Sequence, residues 1–444
     1  MKTMRILVVL AMAIWFEGLC AAPVVSGVPW WDQNGKAVNA HGICVVEDNG
    51  TFYMFGEWKS DESNAFPGYG CYSSKNLADW RFEGVALPLQ KDGILGPDRV
   101  GERPKVFKTK SGKWIMLAHA DNLFYKDPSV ALAVAESPAG RYEVIGSLAD
   151  QNGKIKNWDL GIFTDDDGET YLLGTHGKIW RMSSDGLSAT RIKCELKNDD
   201  GTAAKGGESP CMLKKDGIYW LFYSHLTSWE RNDNFVFRAA SIEGPWIYKG
   251  NFAPEGTLTW NSQCSFILKY RDGHIYMGDR WSFPHQASAA TQVWQPFSFD
   301  SDCKPSLGEY VEAWDVETFG KVAMKSQTLW QGNWEADEKG KALKIPFCGG
   351  RIAVRADTRP DAGYGRISIK TSSGETLRSD IVDFYAKKPI DGQLVWISPV
   401  IAAGEYILEI EPNGDHPEWS DKRKTHYGST VNTIRVARVE SVQL

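Results

Sequence analysis

Five times within its first three hundred residues the chain repeats one pattern: a polar, often acidic residue, a short apolar strand, a glycine turn, and a strand rich in aromatics. The repeats open at Asn39-Ala40-His41-Gly42, Gly101-Glu102-Arg103-Pro104, Trp158-Asp159-Leu160-Gly161, Gly207-Glu208-Ser209-Pro210 and Asn261-Ser262-Gln263-Cys264. With His41, Glu102, Asp159, Glu208 and Gln263 as markers, the spacings are 61, 57, 49 and 55 residues. A glycine (Gly50, Gly112, Gly168, Gly217, Gly273) lies nine or ten residues past each marker. A period of this size, made only of short strands and turns, predicts an all-β chain that begins with a five-bladed β-propeller, one repeat per blade. Innermost propeller strands start around one axis. The five markers are therefore expected to converge on one pocket, and three of them are carboxylates.

Second strands are expected at 51–56, 113–118, 169–174, 218–223 and 274–278, each followed by third and fourth strands, so that four strands per blade fill residues 27 to about 305. After Lys304-Pro305 the repeat stops. The expected organisation is a signal peptide at 1–22, a propeller at 23–307, a linking segment at 308–340 and a β-sandwich of jelly-roll type at 341–444. Short strands at 350–354, 365–369, 406–410 and 433–437 carry the last assignment. The sandwich either binds carbohydrate or braces the propeller; with no aromatic platform visible in it, bracing is favoured.

Lys2 and Arg5, an apolar run from Ile6 to Phe16, and Cys20-Ala21-Ala22 read as a secretory signal with a small-residue cleavage site. The apolar run is too short for a membrane anchor. Leu19 before Cys20 and Glu17 nearby speak against a lipoprotein. The expectation is a secreted or periplasmic protein with no membrane insertion. Seven cysteines remain (Cys44, Cys71, Cys194, Cys211, Cys264, Cys303, Cys348), an odd number at no zinc or redox spacing. They read as packing groups, with room for one unassigned disulfide. A net charge of −6 counts against nucleic acid as partner. Nineteen Trp, sixteen Tyr and nineteen Phe suit sheet-on-sheet packing, and also the flat apolar faces of sugar rings.

In an up-and-down meander the end of strand two returns to the face where strand one began. That places 56–58, 119–122, 175–177, 224–234 and 278–281 beside the markers, in a charged pocket rimmed by aromatics. Glu208 opens an inner strand, where burial and neighbouring negative charge would keep its carboxyl protonated, as a general acid requires. Asp159 can supply that negative charge. A salt bridge to Arg103 or Arg231 is the structural alternative for Glu208. Two carboxyls facing one sugar-sized pocket are what glycoside hydrolysis needs. Glu102 is equally suited to proton transfer or to hydrogen bonding a sugar hydroxyl. Trp229 and Tyr125 are candidates to stack on a sugar, and Glu57, Arg103 and Thr227 to read its hydroxyls. Asp165-Asp166-Asp167-Gly168 lacks the alternating ligands of a calcium loop and reads as a hairpin turn. No metal or other cofactor is expected.

Several ordered runs resemble glycoside hydrolase family 43, in particular its galactan 1,3-β-galactosidase branch, over about residues 27–300. They are Val38-Asn39-Ala40-His41-Gly42, Gly101-Glu102-Arg103-Pro104-Lys105-Val106, Trp158-Asp159-Leu160-Gly161-Ile162-Phe163, Gly207-Glu208-Ser209-Pro210, Thr227-Ser228-Trp229-Glu230-Arg231-Asn232-Asp233-Asn234, Thr259-Trp260-Asn261-Ser262-Gln263 and Met277-Gly278-Asp279-Arg280-Trp281-Ser282. The resemblance implies that Glu208 is the general acid and Asp159 the carboxylate that tunes and orients it. The family's usual base, an Asp opening the first blade, is missing here, as it is in that branch. There Gln263 would stand at the attacking water and Glu102 would recognise substrate. The expectation is a secreted, inverting, exo-acting hydrolase of β-1,3-galactan. An α-L-arabinofuranosidase or β-xylosidase of the same fold, and a non-catalytic carbohydrate-binding propeller, are the alternatives.

Overall fold

Alternating apolar residues with Gly, Asp or Asn at the turns make each repeat fold on itself as an antiparallel meander. In the computed structural model, which describes residues 22–421 and 424–444, five such sheets follow one another. Sheet I comprises His41–Asp48, Thr51–Glu57, Gly68–Ser74 and Arg81–Pro88. Sheet II comprises Arg99–Lys108, Trp114–Asn122, Ser129–Ala135 and Glu143–Ser147. Sheet III runs Leu160–Thr164, Thr170–Gly174, Ile179–Met182 and Ala189–Ile192. Sheet IV runs Glu208–Lys215, Ile218–Ser224, Phe235–Ala239 and Trp246–Asn251, with Leu196–Lys197 added in parallel at its edge. Sheet V has Gln263–Tyr270, Gly273–Arg280 and Thr291–Pro296.

The first strands of the five sheets neighbour one another in cyclic order, with sheet V returning to sheet I. Apolar clusters fill the gaps between successive sheets. Phe55, Met116 and Trp180 belong to the cluster spanning sheets I to III. Leu173 and Trp246 pack between III and IV, Phe222 and Tyr276 between IV and V, and Met54, Trp80 and Trp294 between V and I. A cavity of about 390 Å³, lined by Val45, Val106, Ile162, Met212 and Phe266 among others, opens where these first strands end, opposite the markers.

Sheet V has three strands where four were expected. Its third strand stops at Pro296, and the chain then pairs with itself in the short Ser298–Phe299/Pro305–Ser306 ladder. Near the N-terminus, Val24–Val25 pairs instead with Ala313–Trp314.

The C-terminal part holds two four-stranded antiparallel sheets. Sheet VI orders Lys325–Ala336, Ile434–Gln443, Arg351–Thr358 and Ile390–Ile397, and sheet VII orders Leu343–Phe347, Tyr406–Pro412, Tyr364–Thr371 and Thr376–Asp383. Ile352, Val354 and Trp396 of one sheet share a core with Ile367, Leu408 and Ile410 of the other. The expected linker at 308–340 thus contains a long edge strand of sheet VI. Its mostly exposed face is polar, and Gly332-Asn333 interrupts the alternation that would have announced it. A smaller cluster, with Val25, Val28 and Ala313 against Leu394, Ile397 and Val442, joins sheet VI to the first part of the chain.

The expected signal peptide lies, apart from Ala22, outside the described residues. Cys44, Cys71, Cys194, Cys211, Cys264, Cys303 and Cys348 are all free thiols. Asp165–Gly168 is a hairpin turn closed by backbone hydrogen bonds. No helix among the described residues is long and apolar enough to cross a membrane.

Candidate active site

The strand starts share a local device. In sheets I, II and IV the register slips just after the marker, between His41 and Cys44, Glu102 and Lys105, and Glu208 and Cys211. The residue after each of these markers is left-handed: Gly42 at φ 59°, Arg103 at 51° and Ser209 at 56°. For Arg103 and Ser209 that conformation is costly, and a strong partner must offset it. Each of the three backbone N–H groups donates to a carboxylate of the preceding sheet or the loop entering it. Gly42 N–H reaches Asp279 Oδ2 at 3.0 Å, Arg103 N–H reaches Glu57 Oε1 at 2.9 Å, and Ser209 N–H reaches Asp159 Oδ2 at 3.0 Å. Such charge-assisted bonds are among the stronger ones in a protein interior. Gly42 has a second constraint, since a Cβ there would fall 2.4 Å from Glu57 Oε1.

Arg103 is the hub. Its side chain is 5% exposed. Nε pairs with Asp159 Oδ2 at 3.0 Å, Nη1 donates to Ser265 Oγ at 3.3 Å, and Nη2 donates to Gln263 Oε1. Gln263 Oε1 also accepts from Trp281 Nε1 at 2.8 Å, while Nε2 donates to Glu208 Oε1 at 3.2 Å and to Ser224 Oγ at 3.1 Å. All four hydrogen-bonding positions of that amide are engaged.

Burial is the main reason the Glu208 carboxyl is pushed well above the ordinary carboxylate range. The charge of Asp159 adds to it, against an opposing influence from Arg103. Glu102 is the opposite case. Burial would raise it, but His119, Lys59 and Tyr125 together hold it far below the usual range. His119 Nδ1 lies 3.0 Å from Glu102 Oε2 and Nε2 lies 3.3 Å from Asp121 Oδ2. Burial alone would lower this imidazole, yet the two carboxylates push it up to about 9. Tyr125 Oη donates to Glu102 Oε1 at 2.6 Å, with Asn64 alongside.

Ligand-type atoms of Glu102, His119 and Asp159 lie within 4.8 Å of one another, the spacing of a metal site. Both ring nitrogens of His119 already face carboxylates, those of Glu102 and Asp121.

Glu208, Asp159, Gln263, Glu102 and Arg103 are therefore brought into one network, with Tyr125 at its edge. Glu57 is enclosed at 2% exposure beneath Arg103, and its other oxygen pairs with Lys59 Nζ at 2.7 Å. Thr227 Oγ1 sits in its own loop, donating to Glu230 O and accepting from Asn232. Trp229 stacks on Phe283 with ring centroids 4.5 Å apart, which occupies one of its faces. His119, Ser224 and Trp281 fall in the segments 119–122, 224–234 and 278–281 expected beside the markers but have no role assigned there, and Asn64 lies outside every expected segment. Antiparallel register is the signal that finds two of them, because His119 lies opposite Glu102 and Ser224 opposite Glu208.

A carboxyl pushed above its ordinary range, next to a second carboxyl group and several polar donors, can protonate a glycosidic oxygen, which is what glycoside hydrolysis needs. The Glycosyl hydrolases family 43 model matches residues 39–249, which carry four of the five markers. A structure from Bifidobacterium bifidum assigned as an exo-β-1,3-galactanase is 34% identical, covering 64% of this chain and 95% of that one, with a TM-score of 0.59. The chain belongs to glycoside hydrolase family 43.

Other members match more of this family 43 hydrolase. The exo-β-1,3-galactanase of Phanerochaete chrysosporium, solved with galactose, is 26% identical over 93% of this chain and 100% of its own, with a TM-score of 0.67. A variant of that enzyme, solved with β-1,3-galactotriose, is 25% identical over 95% of this chain and 100% of its own, at a TM-score of 0.69. A xylosidase/arabinosidase of Thermoclostridium stercorarium is 26% identical over 213 residues, which span 41% of this chain and 44% of that relative.

Proposed function

We propose that this family 43 hydrolase is a secreted, exo-acting, inverting enzyme that releases galactose from β-1,3-galactan. We read its five meander sheets as a five-bladed propeller with a short fifth blade. Sheets VI and VII are read as a jelly-roll sandwich, and residues 1–22 as a signal peptide that sends the protein out of the cytoplasm. The cyclic order of the first strands and the shared core of the last two sheets support the architecture.

The observation that carries the substrate and mechanism is Gln263 bonded to Glu208, together with a first strand that opens on His41-Gly42 rather than on a carboxylate. A glutamine at 263 with no carboxylate opening the first strand is the pattern on which the likeness to the galactosidase branch rests. The galactose and β-1,3-galactotriose bound by the Phanerochaete enzyme point to the same sugar. Glu208 protonates the departing oxygen, and Asp159 keeps it protonated and steers it. Gln263 stands on the water side and orients the nucleophile by exchanging its bond to Ser224; a neutral amide is a poor proton acceptor. Glu102, fixed by His119, reads the sugar, and Arg103, Tyr125, Thr227, Trp229 and Glu57 complete or support the pocket. Inverting enzymes set acid and base carboxyls about 6.5–9.5 Å apart. Gln263 Nε2 stands 3.2 Å from Glu208 Oε1, well inside that separation, so the inversion reading rests on the likeness to the galactosidase branch and not on this spacing.

The decisive experiment incubates purified enzyme with debranched β-1,3-galactan and follows the released sugar by proton NMR. Early α-galactose supports the reading, and early β-galactose overturns inversion. Release from aryl arabinofuranosides or xylosides alone would favour the second reading, which the Thermoclostridium relative suggests. Binding of galactan without release from any of these would make the chain a sugar-binding protein.

A further inference from the structure

Gln263 faces two donors that cannot accept, the Arg103 guanidinium and the Trp281 indole, so its carbonyl oxygen must point toward them. The amide nitrogen is thereby turned to Glu208 Oε1 at 3.2 Å. In a neutral carboxyl the carbonyl-type oxygen is the better acceptor. An N–H donated to Oε1 therefore leaves the acidic proton on Oε2.

What holds Trp281 comes from the far end of the chain. Arg231, 1% exposed, donates through Nη2 to the Trp281 carbonyl oxygen, and the same nitrogen lies 3.5 Å from Asp383 Oδ2 at the end of a sheet VII strand. Asp383 Oδ2 accepts from Ser282 Oγ at 3.0 Å, and Ser282 Oγ also meets Tyr364 Oη at 3.0 Å. Tyr385 Oη donates to Glu230 Oε2 at 2.7 Å, with the Arg231 guanidinium 5.5 Å from the Tyr385 ring centroid. Tyr364, Asp383 and Tyr385 thus grip residues 230–231 and 281–282 from the C-terminal side.

We propose that Asp383 and Arg231 are positioning residues of the active site: through Trp281 they fix the Gln263 amide, and so aim the proton of Glu208 at the glycosidic oxygen. The C-terminal sheets are, on this view, part of the catalytic apparatus. The inference rests on the reading of Glu208 as general acid.

The test uses the full-length enzyme. Trp281→Phe keeps the ring and removes the indole N–H, leaving Arg103 as the one donor that holds the Gln263 carbonyl, so the amide turns away from Glu208 more readily. The expected result is a kcat lower by about ten- to a hundredfold at little-changed KM, within the range ascribed to a positioned acid. The alkaline limb of the kcat profile should also move to higher pH, because Glu208 loses a donor that favours its ionised form. Asp383→Ala should shift both readouts in the same direction by a smaller factor. The double variant should be no worse than Trp281→Phe alone, since both act through one amide. Asp383→Asn, close in shape, replaces the alanine variant if circular dichroism finds the latter unfolded.

Wild-type kcat and pH profile in the Asp383 variants would overturn the proposal, as would losses that multiply in the double variant. If the wild type cleaves an arabinoside or xyloside instead of galactan, the substrate reading fails and the same series is run on that glycoside. Inactivity on all of them removes both.

Discussion

The environments of half-buried Glu208 and buried His119 push in opposite chemical senses, and each shift carries a pH signature. The folded-state value of Glu208 lies above its unfolded one. Its contribution to stability is therefore complete below about pH 4.3 and is lost as pH rises through the raised folded value. Glu208→Gln cannot ionise. It should abolish turnover, by about a thousandfold or more, and should gain in melting temperature over wild type as pH climbs. Melts at about pH 5 and about pH 9 check this, and an equal difference at both would mean that burial does not tune the group. His119 also has a raised folded value, about 9. Its pairing with Glu102 and Asp121 stabilises fully below about pH 6.5 and fades as pH rises through about 9. The cost of His119→Gln should accordingly be larger at about pH 6 than at about pH 10, measured by denaturant unfolding.

Among the elements, the inner strands were the most readable and the outer ones the least. Expected second strands at 51–56 and 218–223 correspond to Thr51–Glu57 and Ile218–Ser224, because a Gly turn and an apolar run define them locally. The missing fourth strand of sheet V and the added strand Lys325–Ala336 of sheet VI went unread. Edge strands bury little and so need no strict alternation. Markers were legible as a set, but not the partners they acquire across sheets. The carboxylates under Gly42, Arg103 and Ser209 lie 237, 46 and 50 residues away in sequence. Trp281's hold on Gln263 was equally invisible, since no periodicity says which way an indole N–H points. Sheet packing gives a clear prediction. Trp294, fully buried between sheets V and I, should cost about 3–5 kcal/mol when replaced by Ala. Phe124→Ala, at a position 74% exposed, should stay within about 0.5 kcal/mol. Paired urea titrations of the two variants decide it.

Over the whole molecule, cohesion comes from packing rather than covalent staples. All seven described cysteines are free, so adding a reductant should leave both melting temperature and kcat unchanged; a drop in either would reveal a disulfide. Cutting the chain before residue 325 should do more than remove a passenger. It would uncover Val25, Val28 and Ala313 and release the grip of Tyr364, Asp383 and Tyr385, so the truncated protein should be poorly soluble and slow. The stitches at Gly42, Arg103 and Ser209 bear on how such a chain diversifies. They are backbone groups tied to carboxylates of a neighbouring sheet or the loop entering it, and the ladder resumes three residues beyond each marker. The stitches themselves use the backbone N–H of the following residue and not the side chain of Glu102 or Glu208, and His41 only faces the shared Asp279 at 3.5 Å. Exchanging what stands at those positions would therefore alter the chemistry where the first strands begin while leaving the stitches that fold them intact.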